Sequence, residues 1–282
     1  MPVIAMTQEM ATLGKDVALG LCEALGLQQV RHEIGDVVAG RMQVKKSLIR
    51  RIREGKASTR ERWSADEKTI SIFTNEEILD LAAKGNVLIR GWGAAYLLRS
   101  VPHVVCVRVC APMEVRVQRL MERLETDDEE LARREIEQDD QARHRRMSEQ
   151  HGVTWGDPTI YDLTLNTERI PIETCVRQVI TLVESPAFQE TPASRQKVQD
   201  LASQARARAA LKADERSAGI DVLVEASAGQ LTLRGIVLDE NERTLAKSIV
   251  AALPGVRGVV DELRVMTGGL YRFPSQRKNF PG

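Results

Sequence analysis

The sequence predicts an α/β protein: a parallel sheet flanked by helices over residues 3–183, then a small α+β module. Three observations carry this. Short apolar strands alternate with helical stripes from Val3 to Val183, the pattern of a parallel sheet built by right-handed crossovers. The first strand runs into Gly14-Lys15 and then a helix, the layout of a phosphate-binding loop. Pro186 and Pro192 break the alternation, and beyond them the order becomes helix, hairpin, helix, strand. The expected boundaries are 1–184 for the first domain, 185–194 for a linker, 195–267 for the second domain and 268–282 for a flexible tail.

Val3–Met6 reads as a buried strand, and Val17, Leu21 and Leu25 as one stripe of a helix that Gly26 stops. Between 41 and 62 stand nine Lys or Arg residues against Glu54 and Glu61, with Val44, Leu48, Ile49 and Ile52 on the opposite helical face. That basic face is either solvated, or a wall for phosphates, or a nucleic-acid contact. Asn75 is expected to cap a helix through Ile78, Leu79 and Leu81, ended by Gly85. Strand Val87–Ile89, the turn Gly91-Trp92-Gly93, a short helix to Leu98 and strand Val104–Cys110 follow. Ala111-Pro112 opens a helix, and Thr126 with Glu129 has the spacing of a capping box for the next. Residues 111–150 carry twelve acids and eight Lys or Arg, which predicts a mobile, solvated arm. A strand over 162–166 and a helix over 172–183 complete the first domain. In the second, a helix over 195–211 precedes a hairpin of Ile220–Glu225 and Leu231–Val237 turning at Gly229, then a helix over 241–253 and a strand over 256–265.

Hydrophobic residues make up 43% of the 282 and charged residues 28%, enough apolar content for a core and too much for general disorder. Forty Lys and Arg balance forty Asp and Glu, and aromatics are 4%, so nucleic acid is not an expected partner. The four cysteines form no CxxC pair, which argues against a zinc ribbon or redox motif. Cys106 and Cys110 share one face of a strand and are expected in the core. No apolar run reaches the ~20 residues that span a bilayer. The N-terminus lacks the basic region of a signal peptide, so a cytoplasmic, reduced protein is expected.

Five stretches occur in an informative order: Asn86–Ala94, Val107–Pro112 followed by Arg116, Asp140–Arg143, Trp155–Pro158 and Tyr161–Thr167. Together they resemble the cytidylate-kinase-like branch of the P-loop nucleoside monophosphate kinases, over residues 3–183. Residues 195–267 resemble a BON domain, through the hairpin with Gly235 and the closing stretch Leu253–Val260. The first resemblance implies a P-loop kinase-like sheet, ATP as phosphoryl donor and magnesium as metal. Thr12, Leu13, Gly14, Lys15 and Asp16 would then form the phosphate-binding loop, with Lys15 on the β- and γ-phosphates and Asp16 as candidate magnesium ligand. The same resemblance implies Lys15, Arg116, Asp140 and Arg143 as the catalytic set, Asp140 orienting an arginine and Arg119 and Arg123 helping to line a lid. Arg41, Gly91, Trp92 and Gly93 would belong to the acceptor-binding region. The second resemblance implies an interaction domain for lipid, a protein partner or self-association.

The chain also departs from that family. Ala11-Thr12-Leu13-Gly14 stands where members usually carry Gly-Ser-Gly-Gly, and left-handed backbone costs a non-glycine residue roughly 1–2 kcal/mol, so a reshaped loop is expected. Asp16 replaces the usual Ser or Thr. Gly91-Trp92-Gly93 replaces a Gly-Arg-Gly turn and loses an arginine expected on the acceptor phosphate. Arg90 is no substitute, because strand alternation turns it to the other face. Trp92 either stacks on a base or simply packs, and the arginines of 116–143 either pair along the surface or serve the lid. Three functional readings result: an ATP-dependent kinase for a nucleoside monophosphate or similar small acceptor, a domain that binds nucleotide without efficient transfer, and a scaffold. Lys15, Arg116, Asp140 and Arg143 favour the first, and the lost glycines and turn arginine the second. Cytidine monophosphate as acceptor rests on the resemblance alone.

Overall fold

The computed structural model describes residues 1–58, 60–61 and 66–266. The first domain runs β1 (Val3–Gln8), α1 (Gly14–Leu25), β2 (Gln28–Val30), α2 (Glu33–Arg41), α3 (Lys46–Arg53), α4 (Glu67–Lys84), β3 (Val87–Arg90), α5 (Ala94–Leu98), β4 (Val104–Cys110), α6 (Met113–Leu124), α7 (Glu129–His151), β5 (Leu163–Asn166) and α8 (Ile172–Glu184). Its strands form one parallel sheet in the order β2-β3-β1-β4-β5. Apolar side chains alternate along β1 and feed two cores. Val3 and Ala5 join Val87, Ile89 and Cys106 on one face, and Ile4 and Met6 join Leu88, Val105 and Val107 on the other. Strand order reverses at β1, so a crevice opens beyond the carboxyl ends of β1 and β3, where parallel α/β sheets bind ligands.

Several elements differ from expectation. Strand β2 and helix α2 were not anticipated, because one is three residues long and the other buries only Ile34, Gly35, Val38 and Ala39. Of the basic stretch, Arg41 ends α2, Lys46–Arg53 form α3 and residues 60–61 are helical, while Arg62 lies outside the described residues. Asn75 sits inside α4, not at its start. Asp66 caps that helix, accepting from the backbone N–H of Lys68 and Thr69 at 3.1 and 3.2 Å, because the apolar stripe begins earlier, at Ile70 and Phe73. Asp128, rather than Thr126, caps α7, accepting from Leu131 at 2.9 Å, while Thr126 Oγ1 accepts from the Asp128 N–H. Nor is α7 solvated all round: Ala132, Ile136, Asp139, Ala142 and Met147 are buried.

The segment after α8 carries a 3-10 turn at Pro186–Phe188 and then a capping box in which Thr191 and Ser194 exchange side-chain and backbone bonds. Helix α9 (Pro192–Ala213) starts there. The second domain adds β6 (Leu223–Ser227), β7 (Gln230–Val237), α10 (Glu240–Ala251) and β8 (Gly258–Val265), with β6 antiparallel and β8 parallel to the central β7. Its core gathers Val224, Leu231, Leu233, Ala246, Val250 and Leu263. Helix α9 serves both domains: Val198, Ala202, Ala205 and Ala209 complete the core under β1 and α4, while Ala207 and Leu211 enter the second core. The expected tail, 268–282, lies outside the described residues.

All four cysteines are free, and burial pushes the Cys106 thiol up to about 12, as a structural thiol requires. Among the described residues no helix is long and apolar enough to cross a membrane. Because α9 roofs the first core, a fragment ending at 213 should melt several degrees above one ending at 184. Scanning calorimetry on both decides this, and equal midpoints would mean that α9 adds nothing to the first domain.

Candidate functional site

The loop after β1 takes a conformation that its composition disfavours. Ala11 (φ 60°) and Leu13 (φ 56°) both adopt left-handed backbone. Gly14 is indispensable for a different reason: a Cβ on it would lie 2.7 Å from Gln8 Oε1 and 2.8 Å from Gln8 Cβ. Buried polar groups hold the loop from behind. Arg116 donates through Nε to the Met10 carbonyl at 2.9 Å and forks onto Asp140 at 2.8 and 2.9 Å. Thr167 Oγ1 donates to the Thr12 carbonyl at 2.8 Å, and Arg119 donates to Thr167. Glu9 accepts from Arg108 at 2.5 Å. Bonds of this charge-assisted kind contribute about 1.5–3 kcal/mol each, enough to offset roughly 1–2 kcal/mol per left-handed residue.

In front of the loop lies a cleft of about 590 Å³. Lys15 lines it from the first turn of α1, where the helix dipole also favours an anion. This lysine is exposed and has no hydrogen bond or ion pair among the described residues. Arg143 enters from α7, donating to Asp139 at 2.7 Å and to the Gln8 carbonyl at 3.1 Å. Arg31, Arg53, Arg123 and Arg146 share the lining. Burial and then neighbouring guanidiniums push the Arg31 and Arg53 groups below the usual arginine range, Arg53 far below, and the same causes bring Arg146 down to about 10. The other basic residues of the wall are paired on the surface: Lys46 with Asp36, Arg50 with Glu54 and Lys56 with Glu135.

The expected site residues therefore divide. Lys15, Arg143 and Trp92 meet in the cleft, whereas Arg116 and Asp140 stand behind the loop as its clamp. The Thr12 hydroxyl is turned inward, donating to the Glu9 carbonyl at 2.9 Å, and leaves only its backbone to the front. Asp16 lies on the exposed first turn with a carboxylate that makes no hydrogen bond or ion pair among the described residues. Arg41 is placed elsewhere, paired with Glu76 and stacked 4.4 Å over the Phe73 ring. Gly91 and Gly93 flank Trp92 with left-handed backbone (φ 85° and 76°). The Trp92 ring carries the Arg53 guanidinium at 4.2 Å, so packing, not an open stacking face, is what it presents there. Arg90 is buried, reaches Gln8 Oε1 at 3.5 Å, and has Arg31, Asp16 and Glu33 as charged neighbours. Arg31, His32, Asp139 and Arg146 went unnoticed in the sequence. The only available signal was Arg31-His32 following an apolar position just before α2.

A sequence model of the cytidylate kinase-like family matches residues 3–169, and one of the BON domain matches 198–267. The chain belongs to the cytidylate kinase-like family. It is 28% identical over 110 residues to the cytidylate kinase of Staphylothermus marinus, covering 39% of this chain and 61% of that protein. To the cytidylate kinase of Methanocaldococcus jannaschii it is 25% identical over 114 residues, 40% of this chain and 64% of the relative. The match thus spans under two thirds of either relative. A crystal structure of an uncharacterized protein from Eubacterium ventriosum shares the fold, with a TM-score of 0.51 at 20% identity, covering 66% of this chain and 99% of that one.

Asp140→Ala should leave the buried Arg116 guanidinium without its fork and destabilise the chain by about 3 kcal/mol. Urea unfolding measures this, and a loss under about 0.5 kcal/mol would show that the clamp does not hold the loop.

Proposed function

We propose that the first domain is an ATP-dependent kinase that transfers a phosphoryl group to a nucleoside monophosphate or similar small acceptor. One observation carries this reading. Lys15, in the first turn of α1 and without a partner among the described residues, shares its cleft with the guanidiniums of Arg31, Arg53, Arg123, Arg143 and Arg146, and Asp139 is the buried acid of that lining. Such a concentration of like charge is relieved when phosphates enter, and it neutralises the charge that develops as a phosphoryl group moves between oxygens. Backbone N–H groups of the loop and Lys15 hold the donor phosphates. Arg143, tied to Gln8 at the end of β1 and to Asp139, brings α7 over them. The free Asp16 carboxylate fits a magnesium ion, which commonly takes one or two carboxylates and completes its shell with phosphate and water. When bound, that ion supplies charge neutralisation between donor phosphates.

A second reading, nucleotide binding without efficient transfer, is favoured by Trp92 standing where the turn arginine is expected and by the acid at position 16. The second domain is proposed as an interaction unit for a protein partner, a second copy or lipid, beginning after a linker at 185–194. A cytoplasmic location suits the four free thiols.

Lys15→Ala should weaken ATP-magnesium binding by about 10- to 150-fold, the worth of one charge-assisted hydrogen bond. The melting temperature without ligand should barely move, since the side chain is exposed. Calorimetric titration of both proteins decides, and equal affinities would remove nucleotide binding at this loop. Radiolabel transfer from ATP to cytidine monophosphate then separates the two readings.

A further inference from the structure

A second cleft, of about 300 Å³, opens where the two domains meet, a junction of the kind that ligand sites favour. It lies between the last turn of α4, one face of α9 and two turns of the second domain. Those turns are Ala228-Gly229, between β6 and β7, and Pro254-Gly255, between α10 and β8. They are locked together. The Arg257 N–H donates to the Gly229 carbonyl at 2.8 Å, and a Cβ on Gly229 (φ 83°) would lie 3.2 Å from Arg257 Cγ and Cδ. Glycine there lets the Arg257 stem lie flat across the turn, and the same side chain lines the cleft.

The polar groups of the lining are largely uncommitted. Among the described residues the Arg257 guanidinium and the Lys84 ammonium make no hydrogen bond or ion pair, and neither do the Gln199 amide and the Ser203 hydroxyl. Arg206 donates to Asp80 at 2.7 Å, and Asp200 accepts from the Gln196 amide at 2.9 Å through one oxygen. Three cations, Lys84, Arg206 and Arg257, stand against two carboxylates, so the lining carries one net positive charge.

We propose that this cleft binds a small phosphate monoester that carries hydroxyl groups, a phosphorylated polyol or sugar, at the junction of the two domains. Arg257 takes the phosphate as a fork and Lys84 as a point charge. Gln199, Ser203 and the second oxygen of Asp200 serve the hydroxyls, because a carboxylate accepts from an O–H and repels a phosphate oxygen. Lys84 belongs to the first domain and Arg257 to the second, so the bound anion ties the two together. The site shares no lining residue with the cleft at Lys15 and does not depend on the kinase reading.

The test uses the full chain and glycerol 3-phosphate, read by amide hydrogen exchange in peptides spanning 226–232 and 253–258. Sodium chloride at equal ionic strength is the control. Glycerol 3-phosphate should slow exchange at both turns several-fold, alike in wild type and Lys15→Ala. Lys84→Gln combined with Arg257→Gln should raise the half-saturating concentration at least about tenfold. Both side chains are exposed, so the melting temperature without ligand should not move. Phosphatidylglycerol vesicles present the same glycerol and phosphate groups on a surface. Turns that respond to vesicles but not to glycerol 3-phosphate would make the partner a membrane and overturn the proposal. No slowing, equal slowing by chloride, a response lost in Lys15→Ala, or one that survives the double variant would overturn it too.

Discussion

Everything at the front of this molecule depends on holding two side-chain-bearing residues, Ala11 and Leu13, in left-handed backbone. A glycine loop takes that shape freely, but here it has to be enforced. The enforcement comes from behind, where the Arg116–Asp140 fork, the Thr167 hydroxyl and the Glu9–Arg108 pair grip the loop's carbonyls and flanks. Released from that grip, the loop would relax, and Lys15 and the first N–H groups of α1 would no longer converge on one point. The residues doing this holding come from β4, α6, α7 and the end of β5, so the loop is shaped by the half of the sheet beyond β1 and its helices.

Charge spacing alone does not say which arginines serve the cleft. Along α7 the pairs Glu129–Arg133, Glu130–Arg134 and Asp139–Arg143 all have i,i+4 spacing. The first two are exposed to solvent, and such pairs contribute roughly 0.3–0.5 kcal/mol. The third is buried at 18% and 11% side-chain exposure and anchors Arg143 against the end of β1. One helix thus carries both a solvated face and a functional one, and burial separates them.

The sheet, its order of elements and the second domain's hairpin were legible because they rest on long apolar periodicities and on glycines with a definite stop or turn role. Lys15 and Arg143 were legible because a family pattern brackets them. The arginine cluster was legible only in part. Arg53 belongs to the basic face of 41–62, read as solvated or as a wall for phosphates, whereas Arg31 and Arg146 come from a three-residue strand's exit and the last turns of α7, and nothing in linear spacing brings them to it. Arg116 was read as a catalytic group with Asp140 orienting an arginine, and the two fork onto each other behind the loop, a placement visible only once the direction of each side chain is known. Trp92 misleads in the same way: its meaning lies in the partner laid on its ring, which stands 39 positions earlier in the chain.

Helix α9 gives one set of side chains to each domain's core. It packs its small residues along α4, ties Arg206 to Asp80 at 2.7 Å, and gives Lys212 to Asp66, the residue that caps α4. Lys68 of α4 reaches back to Asp221 of the second domain. In turn α4 sets Ile70 and Phe73 in the same core as Ile49 of α3, the helix that carries Arg53. The two domains are therefore not beads on a string. A pull or twist on the second domain passes through packed helices to the wall of the cleft without crossing a slack joint, so whatever grips one end of this molecule also leans on the other.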